Sequence, residues 1–351
     1  MRRLQRLDGL RGLLAVYVVL GHALPLTSAP AWLGSIFAHG QAAVDLFFAL
    51  SGLVIAGSLE HYNWRFSPFM AARARRLLPV YVLVLGASIL TQAQGNPLPA
   101  LPWAGQAARA IVSPGLPHPL WAHLLAHLTL LHGLVPDSWL PFGWVTLLGP
   151  AWSLSTEWQF YLLIGLFAPR DFSAFALALL GMGFLYHLLP LGAEFSRAFL
   201  PDAAPWFALG LASRLWLTTN RPAPFILCLA GICLLSAFTR AGEVFTALAW
   251  LAIMLAQRQG WGLILATRPF LYLGAISYPL YLVNEPAERM AALWLGPPLA
   301  RHPLQFSLGF LSLSLLFSFA IAALLHHGIE KPLMQRNKKF LSTLIALPVR
   351  Q

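Results

Sequence analysis

Apolar runs recur along the whole chain, near residues 10–26, 42–60, 77–92, 146–168, 172–190, 203–218, 223–239, 243–257, 270–296 and 305–327. Runs of this length and spacing predict helices, and their number predicts an all-α polytopic membrane protein with about ten transmembrane segments. Several fall short of the roughly 20 residues that a straight span prefers, so tilted or broken helices are expected. Pro279 and Pro286 are expected to break or kink the ninth. An eleventh apolar stretch, 120–135, holds His123, His127 and His132 between prolines. It is read as not crossing, interfacial or re-entrant, which makes 93–145 one long external loop rich in Pro and Trp.

Charge fixes the orientation. With ten spans and a cytoplasmic N-terminus, only Arg109, Arg197, Arg240, Arg289 and Arg301 of the 23 Lys and Arg face outward, and both termini lie inside. Were 120–135 to cross, the later assignments would invert and the C-terminal basic cluster would be outside. Composition agrees with the pattern: 58% of residues are hydrophobic, 10% are charged and mean hydropathy is +0.68. That leaves no room for a separate soluble domain, so 1–335 is read as one integral membrane domain and 336–351 as a cytoplasmic tail. The net charge of +11 sits in clusters between apolar runs, as membrane topology requires, and does not point to nucleic acid. Cys228 and Cys233 share one apolar run and read as small buried hydrophobes. The basic start MRRLQR mimics a signal peptide, but cleavage before Pro30 is unfavourable and would discard the first polar span, so the span is expected to be retained.

Polar residues inside these runs are the candidate chemistry. Arg11 and His22 lie eleven residues apart on the first, roughly 16 Å along a helix and on one face, which places the histidine near mid-membrane. An intramembrane histidine serves either a polar cavity or a hydrogen bond between packed helices. Asp45, near the external end of the second span, either reaches His22 and sets its tautomer or sits at a helix N-terminus that favours a negative charge. Arg73 and Arg76 share a face just before the third span, where arginines mark the cytoplasmic side and also suit phosphate. Ser153, Glu157 and Tyr161 are spaced by four and form a polar stripe that must face a cavity or another polar helix. His123 and His127 have a spacing that zinc sites use, but no third ligand accompanies them, and packing is preferred to a metal.

Together these stretches resemble the acyltransferase-3 family of bacterial integral-membrane acyltransferases, over nearly the whole chain. The resemblance rests on Arg11 with His22, on Asp45 through Gly52 (DLFFALSG), on Arg73, Arg76 and Pro79, on Trp152 through Tyr161, on Ser277 through Leu282 (SYPLYL), and on Glu330-Lys331-Pro332. It implies a multi-pass protein of the bacterial cytoplasmic membrane that transfers an acyl group, most often acetyl, from cytoplasmic acyl-CoA to a hydroxyl of a glycan or lipid-linked saccharide. It implies His22 as catalytic residue, as general base or transient acyl carrier, with Arg11 supporting it and Arg73 and Arg76 on the CoA phosphates. Asp45 and Glu157 join the catalytic set, Tyr161 the donor side, and Trp152, Ser153, Tyr281 and Asn284 the substrate side. Acetyl-CoA is then a cosubstrate, and no metal is expected. Many relatives carry a histidine where this chain has Asn284, so a two-histidine relay is not expected. Larger relatives add an extracytoplasmic domain, and without one this chain is expected to pass the acyl group directly to its acceptor or to a separate protein. Membrane lipid is a further partner, and a homo-oligomer is compatible with the pattern. A transporter or flippase for a glycan or lipid-linked sugar is the competing class, since it too needs intramembrane charge.

Overall fold

The computed structural model describes residues 5–189 and 194–335. Among these residues the chain is all-helical, with thirteen α-helices and no strand. They are α1 Gln5–Ala23, α2 Ala31–Phe37, α3 Gly40–His61, α4 Phe66–Gln92, α5 Gln106–Ile111, α6 Leu120–Leu128, α7 Ala151–Phe167, α8 Phe172–Leu188, α9 Leu200–Thr219, α10 Ala223–Leu235, α11 Glu243–Gln259, α12 Arg268–Leu299 and α13 Pro303–Leu325. Each of the ten apolar runs coincides with one helix, the shortest being α10 with 13 residues. Four stretches, Gln5–Leu26, Ala31–His61, Phe66–Gln92 and Pro303–Gln335, are long and apolar enough by themselves to cross a membrane. The basic residues Arg2, Arg3, Arg336, Lys338, Lys339 and Arg350, and the tail 336–351, lie outside the described residues.

The helix boundaries differ from the apolar runs where polar residues are good helix formers. α4 starts at Phe66, eleven residues before its apolar run, because the segment FMAARARR carries alanine and arginine, which lose little in a helix. Arg73 and Arg76 are therefore helical. α6 has nine residues, about 13 Å of rise, which is too short to cross a hydrocarbon core. α12 runs unbroken for 32 residues through Pro279, Pro286, Pro297 and Pro298, so of the expected break or kink a break is excluded. Asp171 caps α8, its side chain accepting from the backbone N–H of Ser173 at 2.8 Å and of Ala174 at 3.2 Å.

Two contacts set the position of the site. α1 packs along α12, and α3 along α9. Both are backbone-to-backbone approaches that tolerate no side chain: a Cβ on Gly12 would come within 2.6 Å of the Gly274 nitrogen, and one on Gly210 within 2.0 Å of the Ala49 oxygen. The main apolar core lies between α3, α4, α7 and α9 and includes Phe69, Tyr81, Phe160 and Phe207. α1, α7 and α12 thus enclose polar side chains against a rigid apolar wall.

Candidate functional site

Two chambers lie along α1, one at Arg11 and one at His22. The arginine chamber, about 70 Å³, is lined by Arg11, Phe47, Phe48, Ser153, Glu157, Tyr278 and Tyr281 among others. The stripe on α7 faces it: Glu157 accepts from Ser51 at 2.6 Å and from Tyr161, whose hydroxyl lies one turn further on. Arg73 lies over the Tyr161 ring, 5.7 Å from its centroid, and donates to Ser58. Arg76 approaches Glu330 at 3.9 Å, and Glu330 also holds His326 at 2.8 Å. The charges of Arg76 and Glu157 both act on Arg11. Sequence positions 11, 73, 76, 157 and 161 thus converge on one place.

The donors are in surplus there. The Nε atoms of Arg11, Arg73 and Arg76 are all buried and have no hydrogen-bond acceptor among the described residues. Buried N–H groups are normally paired, and the open Nε donors of Arg11 and Arg73, with the Arg76 guanidinium held only by the 3.9 Å contact of its Nε to Glu330, fit an anionic group with several acceptor oxygens.

The histidine chamber, about 20 Å³, is lined by His22, Glu285, Glu288, Arg289, Ala292 and the walls Pro97, Ile111 and Val112 from the connection between α4 and α7. His22 Nδ1 lies 3.3 Å from Asn284 Oδ1. The Asn284 amide nitrogen donates to the Tyr281 carbonyl at 2.9 Å, so its oxygen is the atom turned to the imidazole. A carbonyl oxygen only accepts, hence Nδ1 carries the proton and Nε2 keeps its lone pair. The Tyr281 hydroxyl lies 2.8 Å from Ser153 Oγ, on the arginine chamber. Asn284, Tyr281 and Ser153 therefore form a hydrogen-bonded link between the two chambers.

Asp45 is placed elsewhere, which corrects the expected pairing with His22. Its carboxylate accepts from Gln41 at 2.8 Å and feels the charge of Arg240, which is itself bound to Glu243 at 2.8 Å and Asp202 at 3.6 Å. The reason is helical phase: Asp45 lies on the face of α3 turned to α9 and α11 rather than to α1. Trp152 lines neither chamber; it packs edge-on to Phe48 and Trp144, and Arg197 lies 5.9 Å from its centroid. The three loop histidines are engaged in packing. His123 bonds Thr146 at 2.8 Å, while His127 and His132 stack at 4.1 Å and reach the carbonyls of Gly143 and Ala151 at 3.0 and 3.2 Å.

Sequence reasoning passed over Ser51, Tyr278, Glu285, Glu288 and Arg289. The signal was present in the run NEPAER, four polar side chains inside the ninth apolar stretch, but Arg289 was read as an external topology charge.

The family described as "Acyltransferase domain" matches residues 4–327. A curated relative, "Protein 2 in picA locus" from Rhizobium radiobacter, is 42% identical over 83 residues, which is 22% of this chain and 40% of that protein. The match spans well under half of that relative's length. No solved structure matches the chain.

Proposed function

The chain belongs to the acyltransferase-3 family, and on that premise we propose that it moves an acyl group, most often acetyl, from acyl-CoA to a hydroxyl of a glycan or lipid-linked saccharide. In this reading the ten helices of the apolar runs cross a bacterial cytoplasmic membrane with both termini inside. The arginine chamber takes the donor from the cytoplasm, and the histidine chamber receives the acceptor beneath the outer connection.

One observation supports the reading most: the buried Nε donors of Arg11, which lines the chamber linked to the histidine, and of Arg73, which lies over Tyr161 beside it, have no hydrogen-bond acceptor among the described residues. Arg73 and Arg76, on α4, would hold phosphate oxygens of the donor, and Arg11, which shares α1 with His22, would hold a further donor oxygen. His22 Nε2 takes the proton of the acceptor hydroxyl as its oxygen attacks the thioester carbonyl. The carbon–sulfur bond then breaks, the sulfur leaves with that proton, and the products are an ester and free CoA thiol. Asn284 favours His22 as a base over an acyl carrier. An acyl group on Nε2 would leave a cation unless Nδ1 lost its proton, and an amide oxygen cannot take that proton.

The test is thiol release from acetyl-CoA by the purified protein in lipid, with extracts of candidate surface glycans, for wild type and His22→Ala. Release that needs the acceptor and falls at least about 100-fold in the variant supports the reading, since base catalysis typically supplies that much or more. Turnover that survives His22→Ala moves the base elsewhere, with Glu157 next to be tested. No thiol release with any acceptor favours the transporter or flippase class.

A further inference from the structure

The histidine chamber contains one acceptor and one donor that no group among the described residues satisfies. Glu288 is 4% exposed and its Oε1 is buried without a hydrogen-bond partner. Arg289, also 4% exposed, spends its two terminal nitrogens on the carbonyls of Ser113 and Gly95, at 2.9 and 2.8 Å, which leaves its Nε buried and unpaired. Glu285 lines the same chamber, but its carboxylate already accepts from the Gly149 N–H at 2.5 Å. Orphaned buried groups are uncommon, and a donor and an acceptor left open beside the same histidine call for a ligand group that offers both.

A hydroxyl is such a group: it donates to a carboxylate oxygen and accepts from a guanidinium N–H. An ionised phosphate or carboxylate has no proton to give the Glu288 oxygen, and an ammonium cannot accept from Arg289. The chamber, about 20 Å³, is too small for a sugar ring, so a ring would rest against the wall of Pro97, Ile111 and Val112 and extend only its hydroxyls inward. We propose that Glu288 and Arg289 select the acceptor by binding the hydroxyl next to the one that reacts, so that the substrate presents a neutral vicinal diol. This rests on the acyltransferase reading for which hydroxyl reacts, but the binding it requires does not depend on turnover.

The experiment is ligand-observed NMR on the purified protein in lipid nanodiscs. The probes are methyl α-D-glucopyranoside and its 3-deoxy analogue, whose ring has no adjacent hydroxyl pair. Wild type should bind the glucoside about tenfold more tightly than the analogue, because the lost hydroxyl leaves buried polar partners unpaired. Glu288→Leu and Arg289→Lys should each erase that difference. Equal binding of the two probes by wild type, no binding of either, or a difference that persists in a folded Glu288→Leu protein would overturn the proposal. The wild-type comparison decides the matter even if a variant fails to fold. Diol-selective binding without acyl transfer would sink the enzymatic reading and leave the subsite standing; acyl transfer without diol selectivity would do the reverse.

Discussion

An imidazole acts as a base only through a nitrogen that holds no proton, and at His22 the neighbours choose that nitrogen. Asn284 offers its oxygen to Nδ1 at 3.3 Å because its amide nitrogen is committed to the Tyr281 carbonyl. Removing that acceptor in Asn284→Leu frees the ring to adopt the other tautomer and leaves Nδ1 unpaired. Acyl transfer should then lose about 10- to 100-fold in kcat, part of the 10²–10⁴ typical of base catalysis, with KM for acyl-CoA nearly unchanged. A rise in KM without loss of kcat would instead make Asn284 a donor-binding residue. This residue was legible in the sequence as a departure from the family pattern, and so were Arg11, Glu157 and Tyr161 from their spacing. Asp45 was not: a helical wheel gives its angle on α3 but not which neighbour lies at that angle. Glu288 and Arg289 were missed because a charge near the end of an apolar run looks the same whether it meets water or a buried chamber.

Helix α6 shows what element length and side-chain burial decide together. Nine residues cannot cross, and its imidazoles are consumed in packing the connection onto α4, where the Tyr81 hydroxyl donates to the His127 carbonyl at 2.9 Å. His132, in the turn that follows, is fully buried, and burial holds its imidazole down to about pKa 4, against 6.5 when exposed. The folded protein therefore binds fewer protons here than the unfolded chain. Its contribution to stability is complete above about pH 6.5 and is lost as pH falls through that value toward 4. The apparent melting temperature in lipid should drop over that interval, and less steeply in His132→Gln, which keeps an N–H for the Ala151 carbonyl but has no proton to gain. Equal slopes for the two proteins would remove His132 from the acid response. The distribution of Lys and Arg made a non-crossing 120–135 legible. The depth of its histidines was not, because histidine is as common at a wet interface as in a buried turn.

At the scale of the whole molecule, the two chambers give the topology a chemical meaning. In the proposed reading the donor carries phosphates and is made in the cytoplasm, so the arginine chamber would open inward and the connection that walls His22 would face out. That assignment stands or falls on 120–135. If it does not cross, Ser138 is outside and Arg221, in the turn between α9 and α10, is inside; if it crosses, the two exchange sides. Both residues are exposed and both replacements sit in turns. In a background with Cys228 and Cys233 replaced by alanine, Ser138→Cys in bacterial spheroplasts should react with a membrane-impermeant maleimide. Arg221→Cys should react only after permeabilisation. Asn96→Cys, which precedes 120–135 and is outside in either arrangement, serves as the reference. Labelling of Arg221→Cys in intact spheroplasts with protection of Ser138→Cys would reverse everything after α6. The arginines of α4 would remain inside, but Glu157 and Tyr161 would run through the membrane in the opposite direction. A helix so reversed could not keep Glu157 beside Arg11 while Ser153 meets Tyr281 one turn nearer His22. The labelling pattern therefore tests the linked-chamber geometry as directly as it tests the number of crossings.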